Sequence, residues 1–207
     1  MRPSTTPAAP PILGEDGYIL EGLLATLGDD GQPHLAPMGP LVRGDMKRLW
    51  IRPFRTSTTY ANLKRRGAGV FHVTDDVELI ARAAVGSLSD PPGWNLELAA
   101  AGPVLADACH WYAFRVESLD DSAERTSIVA EIIDQGRIRE FCGFNRAKHA
   151  VIEAAILATR VHLLDAAHLA AEMERLDVIV NKTGAAAEHR AFKFLADYVR
   201  CVTEGTQ

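Results

Sequence analysis

Between Asp29 and Pro33 the chain reads Asp-Asp-Gly-Gln-Pro, and the apolar runs on either side, Tyr18–Gly28 and His34–Arg43, are of strand length. Asp-Gly between two such runs signals a hairpin, because the turn needs positive φ, which these residues reach at low cost. An antiparallel hairpin this early argues against a simple βαβ series, whose strands are parallel and joined by helices. The second run also contains Pro37 and Pro40. Proline has no N–H to give a sheet ladder, so this strand is expected to be broken, bulged or at an edge.

The next segments continue in strand texture up to about Phe144. Arg48–Ile51 is a short strand, and a polar stretch leads from it into a helix over Thr59–Arg66. Ala68–Thr74 is an apolar strand, and Asp76–Val85 has apolar residues at helical spacing behind an aspartate cap. Asp90-Pro91-Pro92-Gly93 demands a turn, and Trp94 follows in a loop that the pattern does not place. His110–Leu119 and Thr126–Asp134 read as strands around an acidic turn, with Ile138–Phe144 as a further strand.

After Asn145 alanine, leucine and charged residues take over, with helical periodicity in Arg146–Leu164, Asp165–Asn181 and Ala185–Thr203. The expected organisation is an arm over residues 1–17, a strand-rich domain over 18–144 and a helical extension over 145–207. The arm is assigned from four prolines and the lack of an apolar run of signal-peptide length. Of 207 residues 47% are hydrophobic and 24% charged, which suffices for a core without disulfides. Three scattered cysteines suit a reducing, cytoplasmic compartment. The net charge of -5 argues against nucleic acid or anionic lipid as partner, and the alanine-rich runs are broken by charges too often to span a membrane.

One constellation rises above this background: Arg52-Pro53-Phe54-Arg55-Thr56-Ser57-Thr58-Thr59-Tyr60-Ala61-Asn62-Leu63, joining a short strand to a helix. Two arginines and four consecutive hydroxyls stand where the first N–H groups of the helix lack partners. The helix dipole favours an anion there, and arginine forks match phosphate oxygens. Asn62 lies one turn later. The missing glycines exclude a P-loop. The alternative is that Ser57 or Thr58 caps the helix while the arginines are solvated.

The proline-interrupted hairpin, the short strand and Arg-Thr-Ser-Thr-Thr-Tyr-Ala-Asn-Leu (55–63) resemble the flavin-reductase-like FMN-binding split barrels. The segment Phe144-Asn145-Arg146-Ala147-Lys148-His149 resembles the start of the helical extension in one branch of that superfamily, a branch of unassigned function. The resemblance runs from Tyr18 to about Arg160. It implies an α+β fold, a six-stranded antiparallel split barrel followed by a helical subdomain. It also implies a homodimer with FMN at the subunit interface and a small-molecule electron donor or acceptor. The phosphate would rest on Arg55, Thr56, Ser57 and Thr58, with Asn62 from the helix. The ring would lie against the backbone of Ala36, Pro37, Met38 and Gly39, although simple edge protection explains the prolines equally well. Asn145 and Arg146 would complete the pocket; otherwise Asn145 is an N-cap, with Arg146 and Lys148 in water.

His149 and Glu153 share a helix face, but no second ligand pair at matching spacing appears, and no metal is expected. Cys142 has no basic or histidine neighbour in sequence to activate it. No nucleophile elbow or carboxylate pair announces a catalytic residue. The functional expectation is an FMN-dependent oxidoreductase of unknown substrate. A flavin or phosphorylated-ligand binding module, or an assembly scaffold built on the helical extension, is the alternative.

Overall fold

The protein is described from a computed structural model that covers residues 9–88 and 91–204. Two compact units emerge, Met1–Thr74 with Pro92–Glu140, and Asp75–Pro91 with Phe141–Gln207.

The first unit is built on one antiparallel sheet. Its strands are β1 (Tyr18–Ile19), β2 (Gly22–Leu27), β3 (Pro33–Met38), β4 (Leu41–Val42) and β5 (Arg48–Ile51), followed by β6 (Ala68–Val73). A two-stranded ribbon comes next, β7 (Trp94–Asn95) and β8 (Val104–Leu105), and it places Trp94. The long pair β9 (His110–Asp120) and β10 (Ser127–Arg137) completes the sheet. The spatial order is β1-β4-β5-β10-β9-β6-β2-β3, so the sheet has eight strands where six were expected. The surplus arises because both arms of the early hairpin break. Leu20–Glu21 separates β1 from β2, and Gly39–Pro40 separates β3 from β4; β1 and β4 then pair with each other, Tyr18 opposite Val42. The proline-bearing strand β3 pairs only with β2 and forms an edge, as its missing donors require.

Alternate residues face a core of Leu24, Val42, Leu49, Ile51, Leu63, Phe71, Phe114 and Ile128, and Val70, Ala99, Val104, Trp111 and Ala113 form a second cluster. The first core draws on β2 and β6 at one end of the sheet order and on β4 and β5 at the other, so the sheet curls around it. Tyr18 and Tyr112 agree with that curl. Their strands are four places apart, roughly 19 Å if flat, yet the Tyr18 phenol adds to burial in pushing the Tyr112 phenol upward in pKa. Gly22 marks a close approach on β2, because a Cβ there would lie 2.2 Å from the His72 carbonyl oxygen.

Helix α1 (Thr58–Arg66) supplies Leu63 to this core and ends at Gly67. Residues 1–8 of the expected arm lie outside the described residues. Ile12–Gly17 forms a closed turn in which Asp16 accepts from Ile12 N (2.7 Å) and pairs with Arg43 (2.7 Å). Ile138–Phe144 is not a strand. The ladder stops at Arg137, Ile138 N still donates to Cys109 O (3.0 Å), and Gly143 at φ 92° turns the backbone out of extended geometry. Asp90, in the turn expected around Pro91 and Pro92, is outside the described residues.

The second unit is helical: α2 (Val77–Ala84), α3 (Arg146–Thr159), α4 (Ala166–Thr183) and α5 (Ala186–Glu204). The sequence foresees α2 as a helix but groups it with the barrel; its apolar face of Val77, Ile80 and Ala81 packs on α3 and α5 instead. Alanine at 147, 150, 154, 155 and 158 gives α3 a buried face thin enough for close helix packing. The long helix expected to reach Leu164 ends at Thr159, with one 3-10 turn after it. Among the described residues no helix is long and apolar enough to cross a membrane.

Candidate functional site

The turn from Arg52 to Ser57 leaves β5 and enters α1, and neighbouring backbone holds it in place. Pro53 O accepts from Thr126 N (3.0 Å) and Thr126 Oγ1 (2.8 Å), and Arg55 N donates to Glu124 O (3.0 Å). Ser57, extended at φ -80° and ψ 147°, is the N-cap: its Oγ accepts from Tyr60 N (3.2 Å) and donates to Phe54 O (2.8 Å). The sequence pattern had left Ser57 or Thr58 as the cap, and the geometry selects Ser57.

Arg52, Arg55, Thr56 and Thr58 are exposed around this cap. Among the described residues the N–H groups of Thr58 and Thr59 have no acceptor, as expected for the first turn of a helix whose cap serves a later donor. Arginine forks, threonine hydroxyls and N–H groups without an acceptor together form a donor set suited to a phosphate monoester. No glycine cradle is present, so the anion would bind against the helix end without being wrapped by a loop.

Two further polar groups lie at this end of α1 and add no net charge to it. Tyr60 Oη donates to Asp121 Oδ2 (2.6 Å), and Lys64 Nζ donates to the same oxygen (2.7 Å). The Lys64 and then the Tyr60 hydrogen bonds hold the Asp121 carboxyl down to about 2, so it stays charged. Its charge is met locally by Lys64. His34 Nε2 lies 3.3 Å from Thr59 Oγ1, and burial lowers its pKa, so it is neutral at pH 7. The charge offered to an anion is therefore that of the arginines.

Asn62 sits differently from the other candidates. It is 3% exposed, donates from Nδ2 to Thr26 Oγ1 (2.9 Å) and accepts at Oδ1 from Arg65 (3.0 Å), tying α1 to β2. Ala36, Pro37, Met38 and Gly39 are half-buried along edge strand β3 and just past it. Among the described residues one side of β3 has no strand partner, and His34, two residues before Ala36, links the strand to α1 through Thr59. The structure therefore brings the 36–39 stretch and the 55–58 turn into one unit.

Asn145 and Arg146 belong to the second unit. Asn145 caps α3: Oδ1 accepts from Ala147 N (2.8 Å) and Lys148 N (3.2 Å), while Nδ2 donates to Thr183 O (3.1 Å). Arg146 is exposed. Lys148 is not in water; it pairs with Glu188 at 2.8 Å and donates to Asp75 O at 2.7 Å. No group of three His, Cys, Asp or Glu residues able to hold a metal occurs among the described residues. Sequence reasoning missed Arg125, whose guanidinium lies 4.8 Å from the centre of the Phe54 ring. It comes from the connection between β9 and β10, about seventy residues away in sequence, and no local motif marks it.

Comparison with known proteins follows the same division. Residues 20–139 match the family description "Protein of unknown function (DUF447) N-terminal domain", and residues 145–197 match "Protein of unknown function (DUF447)". A crystal structure of an FMN-bound protein from Methanosarcina mazei, carrying the same family description, is similar with TM-score 0.70. The identity is 26%, over 87% of this chain and 94% of that one. Flavoredoxin from Methanosarcina acetivorans is similar in fold alone, with TM-score 0.50 and 13% identity over 63% of this chain and 76% of that one. No curated protein matches the sequence.

Proposed function

We propose, from the premise that the chain belongs to the DUF447 family of proteins of unknown function, that it binds FMN and works as a flavin-dependent oxidoreductase. The observation that carries this reading is the open, arginine-flanked N-terminus of α1, whose donor set suits one phosphate. It is supported by the likeness, over most of both chains, to the FMN-bound protein from Methanosarcina mazei. Arg55, Thr56 and Thr58 hold the phosphate, and Ser57 closes the cap on Tyr60 N, which leaves the Thr58 and Thr59 N–H groups without an acceptor of their own. Asn62 acts as a positioning residue, fixing α1 on β2.

The ring rests against Ala36, Pro37, Met38 and Gly39, where the edge of the curled sheet offers backbone groups and half-buried apolar surface. A second copy closes over that edge, completing a split-barrel homodimer with the flavin at the interface. Bound FMN supplies reversible two-electron transfer, and the protein supplies anchorage, orientation and exclusion of water. A small-molecule donor and acceptor complete the cycle.

A second reading, a flavin holder without turnover, is favoured by one observation: residues 36–39 carry no titratable side chain beside the ring. Reduction of the bound flavin by NADH or NADPH separates the two readings. The test of both is the absorbance of the purified protein, followed by mass spectrometry of the released ligand. Visible flavin bands and the mass of FMN are expected. A colourless preparation that takes up no added FMN contradicts the proposal.

A further inference from the structure

In the first unit, the described arginines use their side chains within the protein, with three exceptions. Arg43, Arg48, Arg65, Arg115, Arg137 and Arg139 each meet a carboxylate, and Arg66 donates to Gly28 O. Arg52, Arg55 and Arg125 have no carboxylate within ion-pair distance and no side-chain hydrogen bond among the described residues. All three belong to one place. Arg52 and Arg55 flank Phe54 in sequence, and Phe54 forms a backbone bridge with Arg125. The Arg125 guanidinium lies over the Phe54 ring, which is 47% exposed. Arg52, Arg55, Arg125 and Lys64 stand against Asp120, Asp121 and Glu124 at the end of β9 and the turn after it, so the cluster keeps one net positive charge in a chain of net charge -5. Asp121 pairs with Lys64 at 2.7 Å, and Arg55 adds a weaker attraction to it from beyond ion-pair distance.

One phosphate engages Arg55 and the hydroxyls beside it, which leaves Arg125 and Phe54 unused. Arg55 N is bonded to Glu124 O and Phe54 is bridged to Arg125, so Arg125 stands beside the first seat. A guanidinium stacked on an aromatic ring offers a cation for that phosphate and a flat face for a base. We propose that Phe54 and Arg125 form a second nucleotide seat, which takes the nucleoside 5′-phosphate half of a dinucleotide. Two sources present that chemistry: the adenylate of FAD, or the adenylate of a separate pyridine dinucleotide bound while FMN fills the first seat. The location of the first seat rests on the FMN reading; the Phe54–Arg125 platform does not.

The test titrates FMN and FAD by fluorescence, and ADP-ribose by calorimetry, into wild type, Arg125→Ala and Phe54→Leu. Melting curves confirm that each variant is folded; both side chains are exposed, so little change is expected. ADP-ribose is titrated into both the flavin-free and the FMN-loaded protein. If FAD binds wild type at least 10-fold tighter than FMN, and Arg125→Ala removes that advantage with FMN unmoved, the seat holds the flavin's own adenylate. If FAD binds no tighter, but ADP-ribose binds the FMN-loaded protein and Arg125→Ala weakens it at least 10-fold, the seat holds a separate dinucleotide. Affinities for FAD and ADP-ribose that Arg125→Ala and Phe54→Leu leave unmoved overturn the proposal. If wild type takes no flavin at all, the FMN reading fails instead. ADP-ribose binding to the flavin-free protein then decides for the seat if Arg125→Ala abolishes it, and against the seat if there is none.

Discussion

Two helices of this protein open on a polar cluster with cations, and the sequence offers the start of α1 as the main candidate and the start of α3 as a complement to it. At α1 the cap serves Tyr60 N, the Thr58 and Thr59 N–H groups have no acceptor among the described residues, and the arginines around it form no ion pair, although the Arg55 charge helps to lower the Asp121 pKa. At α3 the Asn145 amide satisfies two N–H groups and one carbonyl, and Lys148 is locked between Glu188 and Asp75 O. The start of α1 leaves two arginines and two N–H groups over for a ligand; the start of α3 has spent its cap and Lys148 on the fold and leaves only the Arg146 cation exposed. Composition does not separate a binding helix end from a structural one, whereas counting unsatisfied donors does.

The largest effect expected from breaking this contrast is on stability, at α3. Glu188 is 3% exposed and accepts from both Lys148 and Ala185 N (2.9 Å). Glu188→Ala leaves a half-buried ammonium without its carboxylate and is expected to cost about 3–5 kcal/mol of stability. Denaturant unfolding measures this, and Lys148→Met combined with Glu188→Leu is expected to recover most of the loss. FMN affinity per folded molecule stays unchanged.

The reverse pattern is expected at α1. Arg55→Ala weakens FMN binding by about 1.5–3 kcal/mol, the magnitude of a hydrogen bond to a charged group, and moves the unfolding midpoint little because the side chain is exposed. A large loss of stability with unchanged FMN affinity would reverse the comparison.

A smaller effect separates the two units by pH. His72 in β6 is fully buried; its Nε2 accepts from Leu105 N (3.1 Å) and its Nδ1 lies 3.3 Å from Leu23 O. Nδ1 therefore carries the proton of the neutral ring. Burial lowers its pKa from 6.5 to about 4, so the unfolded chain binds the extra proton first. The stability tied to neutral His72 is complete above pH 6.5 and is lost progressively as pH falls towards 4. Glu188 is also shifted downward, from a lower starting value. Burial raises its pKa, but the Lys148 and Ala185 hydrogen bonds outweigh this and leave it below 4.5, so its contribution holds above pH 4.5 and is lost below that. Hydrogen exchange relative to intrinsic rates is expected to show Leu105 N–H losing protection between pH 6.5 and 4, while Ala185 N–H stays protected until below 4.5.

Local signals in the sequence reached far into the fold. Arg48–Ile51 forms the expected strand, the prolines of 33–40 mark an edge, and the hydroxyl run caps a helix. These are properties of a few adjacent residues, decided by missing donors and turn geometry. The partners across the chain were not legible. Arg125 meets Phe54, Lys148 meets Glu188, and α2 joins the helical unit only because its apolar stripe finds α3 and α5. Nothing within a few residues of Lys148 distinguishes a solvated lysine from a paired one. The strand count failed for a related reason: two-residue strands such as β1 and β4 exist through their pairing, and carry no periodicity of their own.

The most direct measurement of the central claim is a paired titration of the wild-type protein with FMN and with riboflavin, followed by flavin fluorescence. The two ligands share the ring and differ in the phosphate that the α1 terminus is argued to hold. The account predicts that FMN binds at least ~10-fold tighter, the effect of one or more charge-assisted hydrogen bonds. Equal affinity for the two flavins would contradict it.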